Sequence, residues 1–136
     1  MEVITLTLGS ERYAIESRFT FEIFALSEFS RVPGARGTLF GLTVWRGGLL
    51  TLLDVRTSLG IPATALHDLT RVIVLGDSKP EFGMLADRVH DLRTLDVTEL
   101  EHFADERATS RRPFVQGVTS DATIVLNGPQ LLTLHG

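Results

Sequence analysis

The nearest approach to a set of metal ligands in this sequence is a pair of His-Asp dipeptides, His67-Asp68 and His90-Asp91. Imidazole and carboxylate are common ligands of the divalent ions that assist phosphoester hydrolysis. Four such side chains converging in space would make a small metal-dependent hydrolase. One dipeptide falls in a connection and the other at a strand end, and ordinary surface histidines occupy such places too. No Gly-x-Ser-x-Gly elbow exposes a serine, and Ser10, Ser58 and Ser120 stand at turns or caps, where a hydroxyl bonds to backbone. Gly34-Ala35-Arg36-Gly37 and Arg46-Gly47-Gly48 lack the lysine and the spacing of a phosphate loop. The carboxylates Asp87 and Asp91, and Glu99 and Glu101, have no companions that would tune an acid and a base, and they read as solvated faces. The absence of cysteine excludes disulfides and thiolate chemistry, and it suits a reducing, cytoplasmic compartment. Neither enzyme activity nor a cofactor is expected.

Two charges are more informative. Glu22 and Arg46 each interrupt an otherwise apolar strand in the first half of the chain. Either points to water at a strand edge, or the two face one another across neighbouring strands as a charge pair on a recognition surface. In the second case the planar fork of Arg46 holds a partner or the Glu22 carboxylate. Trp45, next to Arg46, reads as a core residue.

The elements that would carry these residues are mostly hairpins. Leu39 to Arg46 and Leu49 to Leu53 are strands about the glycines Gly47 and Gly48, which supply a backbone able to take φ > 0. Asp54 is placed to cap a short helix that Gly60 and Pro62 stop about two turns later. Ile4, Leu6 and Leu8 alternate with threonines as in a half-buried strand, and Gly9 to Arg12 turns the chain into Tyr13-Ala14-Ile15. Phe19 to Leu26 fits either a strand or a helix, and its aromatic and β-branched content favours the strand. Val72 to Leu75 and Phe82 to Val89 form another hairpin, and Phe114 to Val118 with Thr123 to Leu126 a last one. Asp91 to Leu100 is ambiguous, Thr109-Ser110 reads as a loop, and Asn127 can cap a closing helical turn with Pro129 near its start. Roughly nine or ten short strands joined by brief turns argue for an all-β sandwich or barrel.

A chain of 136 residues is one domain, or two small subdomains sharing a core. A formal charge of −4 argues against a phosphate-backbone binder, and Arg111-Arg112 is too short a basic patch to reverse that, so no nucleic acid is expected. No apolar run approaches the roughly 20 residues of a membrane helix, and Met1-Glu2 opens no secretory leader. The expected partner is therefore a protein or a small molecule.

Taken together, the motifs resemble the CheW-like domain of bacterial chemotaxis coupling proteins. Arg46-Gly47 followed by Leu49-Leu50-Thr51-Leu52-Leu53-Asp54-Val55-Arg56 is similar to the family's Arg-Gly block and its Asp-Leu-Arg ending. Tyr13-Ala14-Ile15, Glu22-Ile23, Pro33-Gly34-Ala35 with Gly41, Phe82 to Val89, and Phe114 to Val118 resemble further blocks in the expected order. The resemblance covers nearly the whole chain, as one domain of residues 1–136. It implies two small five-stranded SH3-like barrels sharing a hydrophobic core, with brief helical turns. It also implies a non-enzymatic adaptor, monomeric in isolation, between the regulatory domain of a CheA-type histidine kinase and the cytoplasmic tip of chemoreceptors. Glu22, Arg46 and Gly47 fall on partner-binding positions. Thr51 replaces a usual proline, Ala86 a valine, and Asn127-Gly128-Pro129 stands where an aspartate opens the final turn. Such departures fit a divergent or accessory member acting in motility.

Overall fold

The computed structural model describes residues 1–34, 37–62, 64–102 and 114–134. Thr109-Ser110 and Arg111-Arg112 lie outside the described residues. The strands are β1 (Glu2–Leu8), β2 (Glu11–Glu16), β3 (Thr20–Ala25), β4 (Ser30–Arg31), β5 (Leu39–Trp45), β6 (Gly48–Leu53), β7 (Arg71–Gly76), β8 (Pro80–Ala86), β9 (Arg88–Thr94), β10 (Val115–Val118) and β11 (Ile124–Leu126). Among the described residues two short helices, α1 (Val97–His102) and α2 (Gly128–Leu131), complete the elements, with a 3-10 turn at Ser17–Phe19. No helix among the described residues is long and apolar enough to cross a membrane.

Two sheets form, ordered β10-β11-β2-β1-β9 and β3-β7-β8-β6-β5-β4. The hairpins β1/β2, β5/β6, β7/β8 and β10/β11 are all antiparallel, as their turn residues predict. Each sheet curls until its two ends approach. Arg93 on β9 meets Asp121 in the β10/β11 turn at 2.8 Å, and Glu22 on β3 meets Arg46 in the β5/β6 turn at 2.8 Å. The curl gives three apolar clusters. Leu6, Leu8 and Ile15 of the first sheet pack with Leu53, Ile73, Leu75 and Met84 of the second in a common core. Val3, Ala14, Leu95 and Val125 fill the inside of the first sheet, and Phe40, Leu50, Leu52, Val72, Val74 and Leu85 the inside of the second. Both faces of β1 are thereby covered, which is why its alternation is less than clean. This is the expected all-β arrangement of two curled sheets about a shared core, with six strands in the second sheet where five were expected because the short β4 adds to its edge.

Local details differ from expectation in three places. At the β5/β6 turn the register pairs Trp45 with Gly48, so the two loop residues are Arg46 and Gly47, at φ 50° and 77°. Positive φ at both central residues is the turn that matches the strand twist, and Gly48 is already strand. After Asp54 no α-helix forms. A single turn instead closes with Ile61 N–H donating to the Arg56 carbonyl at 2.8 Å, Gly60 N–H to that of Thr57 at 3.4 Å, and Gly60 at φ 72°. That glycine-terminated closure falls at Gly60, as expected, but it ends a single turn and not the two-turn helix the sequence suggests. The run Phe82 to Val89 is two strands: β8 ends at Ala86, and β9 starts at Arg88 and joins the other sheet by pairing with β1. Asp87 is the break between them. At the C-terminal end Asn127 does cap α2, its Oδ1 accepting the Gln130 N–H at 3.0 Å.

Candidate partner-binding site

Arg46 occupies the first position of a turn that favours asparagine, aspartate or glycine. A residue with a Cβ in the left-handed region loses roughly 1–2 kcal/mol, so the conformation is imposed by the hairpin. Gly47 beside it faces open space, since a Cβ there would meet nothing within 4 Å. Its φ of 77°, not crowding, is what requires glycine. The turn projects the Arg46 side chain, 69% exposed, toward Glu22. Both Nη2–H and Nε–H donate to Glu22 Oε1, at 2.8 and 3.2 Å, while the guanidinium lies 4.8 Å from the centre of the Trp45 ring. The two charges thus do pair. They do so across the open side of the curled sheet, not across neighbouring strands, for β7, β8 and β6 lie between β3 and β5.

Between β3 and β5 that open side is a groove of about 710 Å³, lined among others by Glu22, Phe24, Glu28, Phe29, Val44 and Trp45. Val44 and Leu49, opposite one another in the hairpin, are 70% and 76% exposed. Trp45 was expected in the core. It packs against the cluster inside the second sheet and also lines the groove. Its Nε1 is buried and has no hydrogen-bond partner among the described residues. An orphaned buried donor costs roughly 1–3 kcal/mol.

A second charged cluster escaped sequence reasoning. The Arg56 guanidinium is buried, with Nε and Nη2 donating to the two oxygens of Asp54 at 2.8 and 2.9 Å. Its Nη1 donates to Asp87 Oδ1 at 2.9 Å and to Thr64 Oγ1 at 2.8 Å. Asp87 also accepts the Thr64 hydroxyl at 2.7 Å and the Gly9 N–H at 2.6 Å. Hydrogen bonding to Asp54, helped by the fields of Asp54 and Asp87 and opposed by burial, raises the Arg56 pKa above its ordinary value. Asp87 is therefore no solvated carboxylate. It ties the β1/β2 turn, the β6–β7 connection and the β8/β9 break together, where the chain passes from one sheet to the other. The signal available was an Asp-x-Arg spacing at a strand end, which puts an acid and a base two residues apart at a turn. Nothing local pointed to Asp87, 31 residues further on.

The candidate metal ligands stay apart. His67 Nδ1 accepts the Leu69 N–H at 3.1 Å, and its Nε2 is 3.9 Å from Asp87 Oδ1. His90 Nε2 bonds to Thr7 Oγ1 at 2.7 Å on β9, where the Asp91 backbone bonds to the Thr5 hydroxyl. Among the described residues no group of three His, Asp or Glu could hold a metal ion. The convergence a hydrolase would need from His67, Asp68, His90 and Asp91 is not present.

Comparison with known proteins agrees with this architecture. A family model described as CheW-like domain matches residues 2–135. The chain is 27% identical over 100 residues to the chemotaxis protein CheW of Bacillus subtilis, over 74% of this chain and 64% of that one. It thus spans somewhat less than two thirds of that relative's length. The chemotaxis protein CheW of Klebsiella aerogenes is 24% identical over 117 residues, covering 86% of this chain and 70% of its own. Among solved structures, the scaffolding protein TtCheW from Thermoanaerobacter tengcongensis superposes with a TM-score of 0.77 at 18% identity, over 92% of this chain and 87% of that one. At that identity the likeness is one of fold.

Proposed function

The chain belongs to the CheW-like domain family, and on that premise we propose that it is a non-enzymatic adaptor of bacterial chemosensory signalling. It holds the regulatory domain of a CheA-type histidine kinase to the cytoplasmic tip of chemoreceptors, acting in the cytoplasm at membrane-associated receptor arrays. The relatives named as chemotaxis proteins and the structural neighbour named as a scaffolding protein support the adaptor class. Glu22, Arg46 and Gly47 form the partner-facing element. The observation that carries this assignment is the position of Arg46: an exposed arginine kept at positive φ, where asparagine or glycine would be less strained. Its ion pair with Glu22 is too exposed to contribute more than about 1 kcal/mol to stability, so stability does not account for the arginine. Recognition does. The mechanism is linkage, in which receptor state biases the kinase by no more than the difference in affinity that the adaptor transmits.

The test is capture from the host's lysate with wild type and Arg46→Glu, each first shown folded by circular dichroism. Wild type is expected to recover a histidine kinase together with chemoreceptors, and the variant to lose the receptors. Full recovery by the variant overturns the role of Arg46, and recovery of neither partner by wild type overturns the adaptor reading.

A further inference from the structure

The groove beside the Arg46 turn is uneven in charge. At one end Glu22 is neutralised by Arg46. Toward the other end, Glu28 is exposed and, among the described residues, bonds only through its backbone carbonyl, which accepts the Thr43 hydroxyl at 2.6 Å. No described cation lies within ion-pair distance of its carboxylate, and the nearest basic residue in sequence, Arg31, is stacked on Phe40 at 4.3 Å instead. The groove thus carries two carboxylates against one guanidinium, with Phe24, Phe29 and Trp45 along its walls. Thr43, beside Glu28, and Arg46 are three residues apart on the hairpin, so the two charged ends are separated by roughly 10 Å.

We propose that this groove receives a segment of a protein partner that carries a lysine or arginine between apolar residues, with the cation at Glu28. The inference rests on reading the groove as a partner face. The aliphatic stem of the basic side chain lies along the aromatic walls while its charged head stays at the wet end with Glu28. Apolar neighbours of that residue cover Val44 and Leu49, exposed side chains that line the groove beside its aromatic walls. That much exposed apolar surface favours a polypeptide over a small cation. An acidic segment would add a negative charge to a site already short of positive ones.

Trp45 is the only tryptophan of the chain, so indole fluorescence and the indole N–H resonance both come from this one residue on the groove wall. The probes are the acetylated, amidated peptides Val-Leu-Lys-Leu-Val, Val-Leu-Gln-Leu-Val and Val-Leu-Glu-Leu-Val, with butylammonium as the small cation. The lysine peptide is expected to shift the indole signals saturably and to bind about twofold to fivefold tighter than the glutamine peptide, the range of an exposed ion pair. Glu28→Gln should remove that preference, and Glu28→Lys should transfer it to the glutamate peptide. Equal binding of the three peptides, no binding by folded wild type, or a lysine preference that survives Glu28→Gln overturns the proposal. Butylammonium binding as tightly as the lysine peptide also overturns it, by making the groove a small-cation pocket. Neither kinase nor receptor enters this titration, so its failure is distinguishable from failure of the capture experiment.

Discussion

Replacing Arg56 by methionine keeps most of the side-chain volume and removes the charge that two buried carboxylates share. The side chains of Arg56, Asp54 and Asp87 are 5%, 12% and 10% exposed, so water can solvate what is left only after the structure opens. Asp54 loses both guanidinium contacts, and Asp87 loses one of its donors while keeping Thr64 and Gly9. Two unneutralised carboxylates then remain close together. Removing one partner of a buried ion pair costs roughly 3–5 kcal/mol, a large part of the about 5–15 kcal/mol that holds a typical domain folded. Urea unfolding followed by far-ultraviolet circular dichroism should therefore show the midpoint falling sharply at constant m, with thermal unfolding lowered on the order of 10–20 °C. A triple variant, Asp54→Asn with Arg56→Met and Asp87→Asn, should lose less than Arg56→Met alone, because it leaves no buried charge behind. Loss of less than about 1 kcal/mol by Arg56→Met, or a triple variant at least as unstable as the single one, would refute the view that this cluster fastens the two sheets electrostatically.

Other expectations follow from single sites. Arg46→Glu should change unfolding free energy by no more than about 1 kcal/mol in the same urea assay, since the pair it breaks is exposed; Arg46→Gly should be no less stable than wild type, because it relieves the backbone at φ 50°. Gly41→Ala should destabilise by about 1–3 kcal/mol, because the added Cβ would run into the backbone carbonyl of Ser30 and push β4 from β5; loss of β4 protection in hydrogen exchange would localise the damage. The Thr119 hydroxyl, and then Arg93, hold the Asp121 carboxyl down to about 2. A folded pKa below the unfolded one stabilises above the unfolded value of 3.8 and loses that contribution as pH falls through the folded value. Wild type and Asp121→Asn should thus differ by roughly 0.5–1 kcal/mol at neutral pH, given the exposure of this pair, and converge between about pH 4 and pH 2; a difference independent of pH would show that the carboxylate charge is not what matters.

What could be read along the chain was whatever depends on near neighbours. Gly9, Gly47, Gly60 and Asn127 each sit where a turn or cap needs them, and the apolar runs between became strands. Those rules were enough for hairpins and for an all-β class, and the ordered blocks from Tyr13 to Val118 were enough for the family.

The structure alone decided which strands meet beyond the hairpins and what the charges do. Asp87 and Glu99 are both carboxylates in polar surroundings by sequence, yet only Asp87 is buried, because the strand breaks there and delivers it to Arg56 from 31 residues away. Glu22 and Arg46 were legible as a possible pair. That they close a groove instead of linking adjacent strands depends on the curl that brings β3 to the β5/β6 turn past three intervening strands. Turns and strands follow from steric preferences and burial patterns that act over a few residues. The partner of a buried charge is chosen by the packing of the whole core, and that choice is not written at either residue.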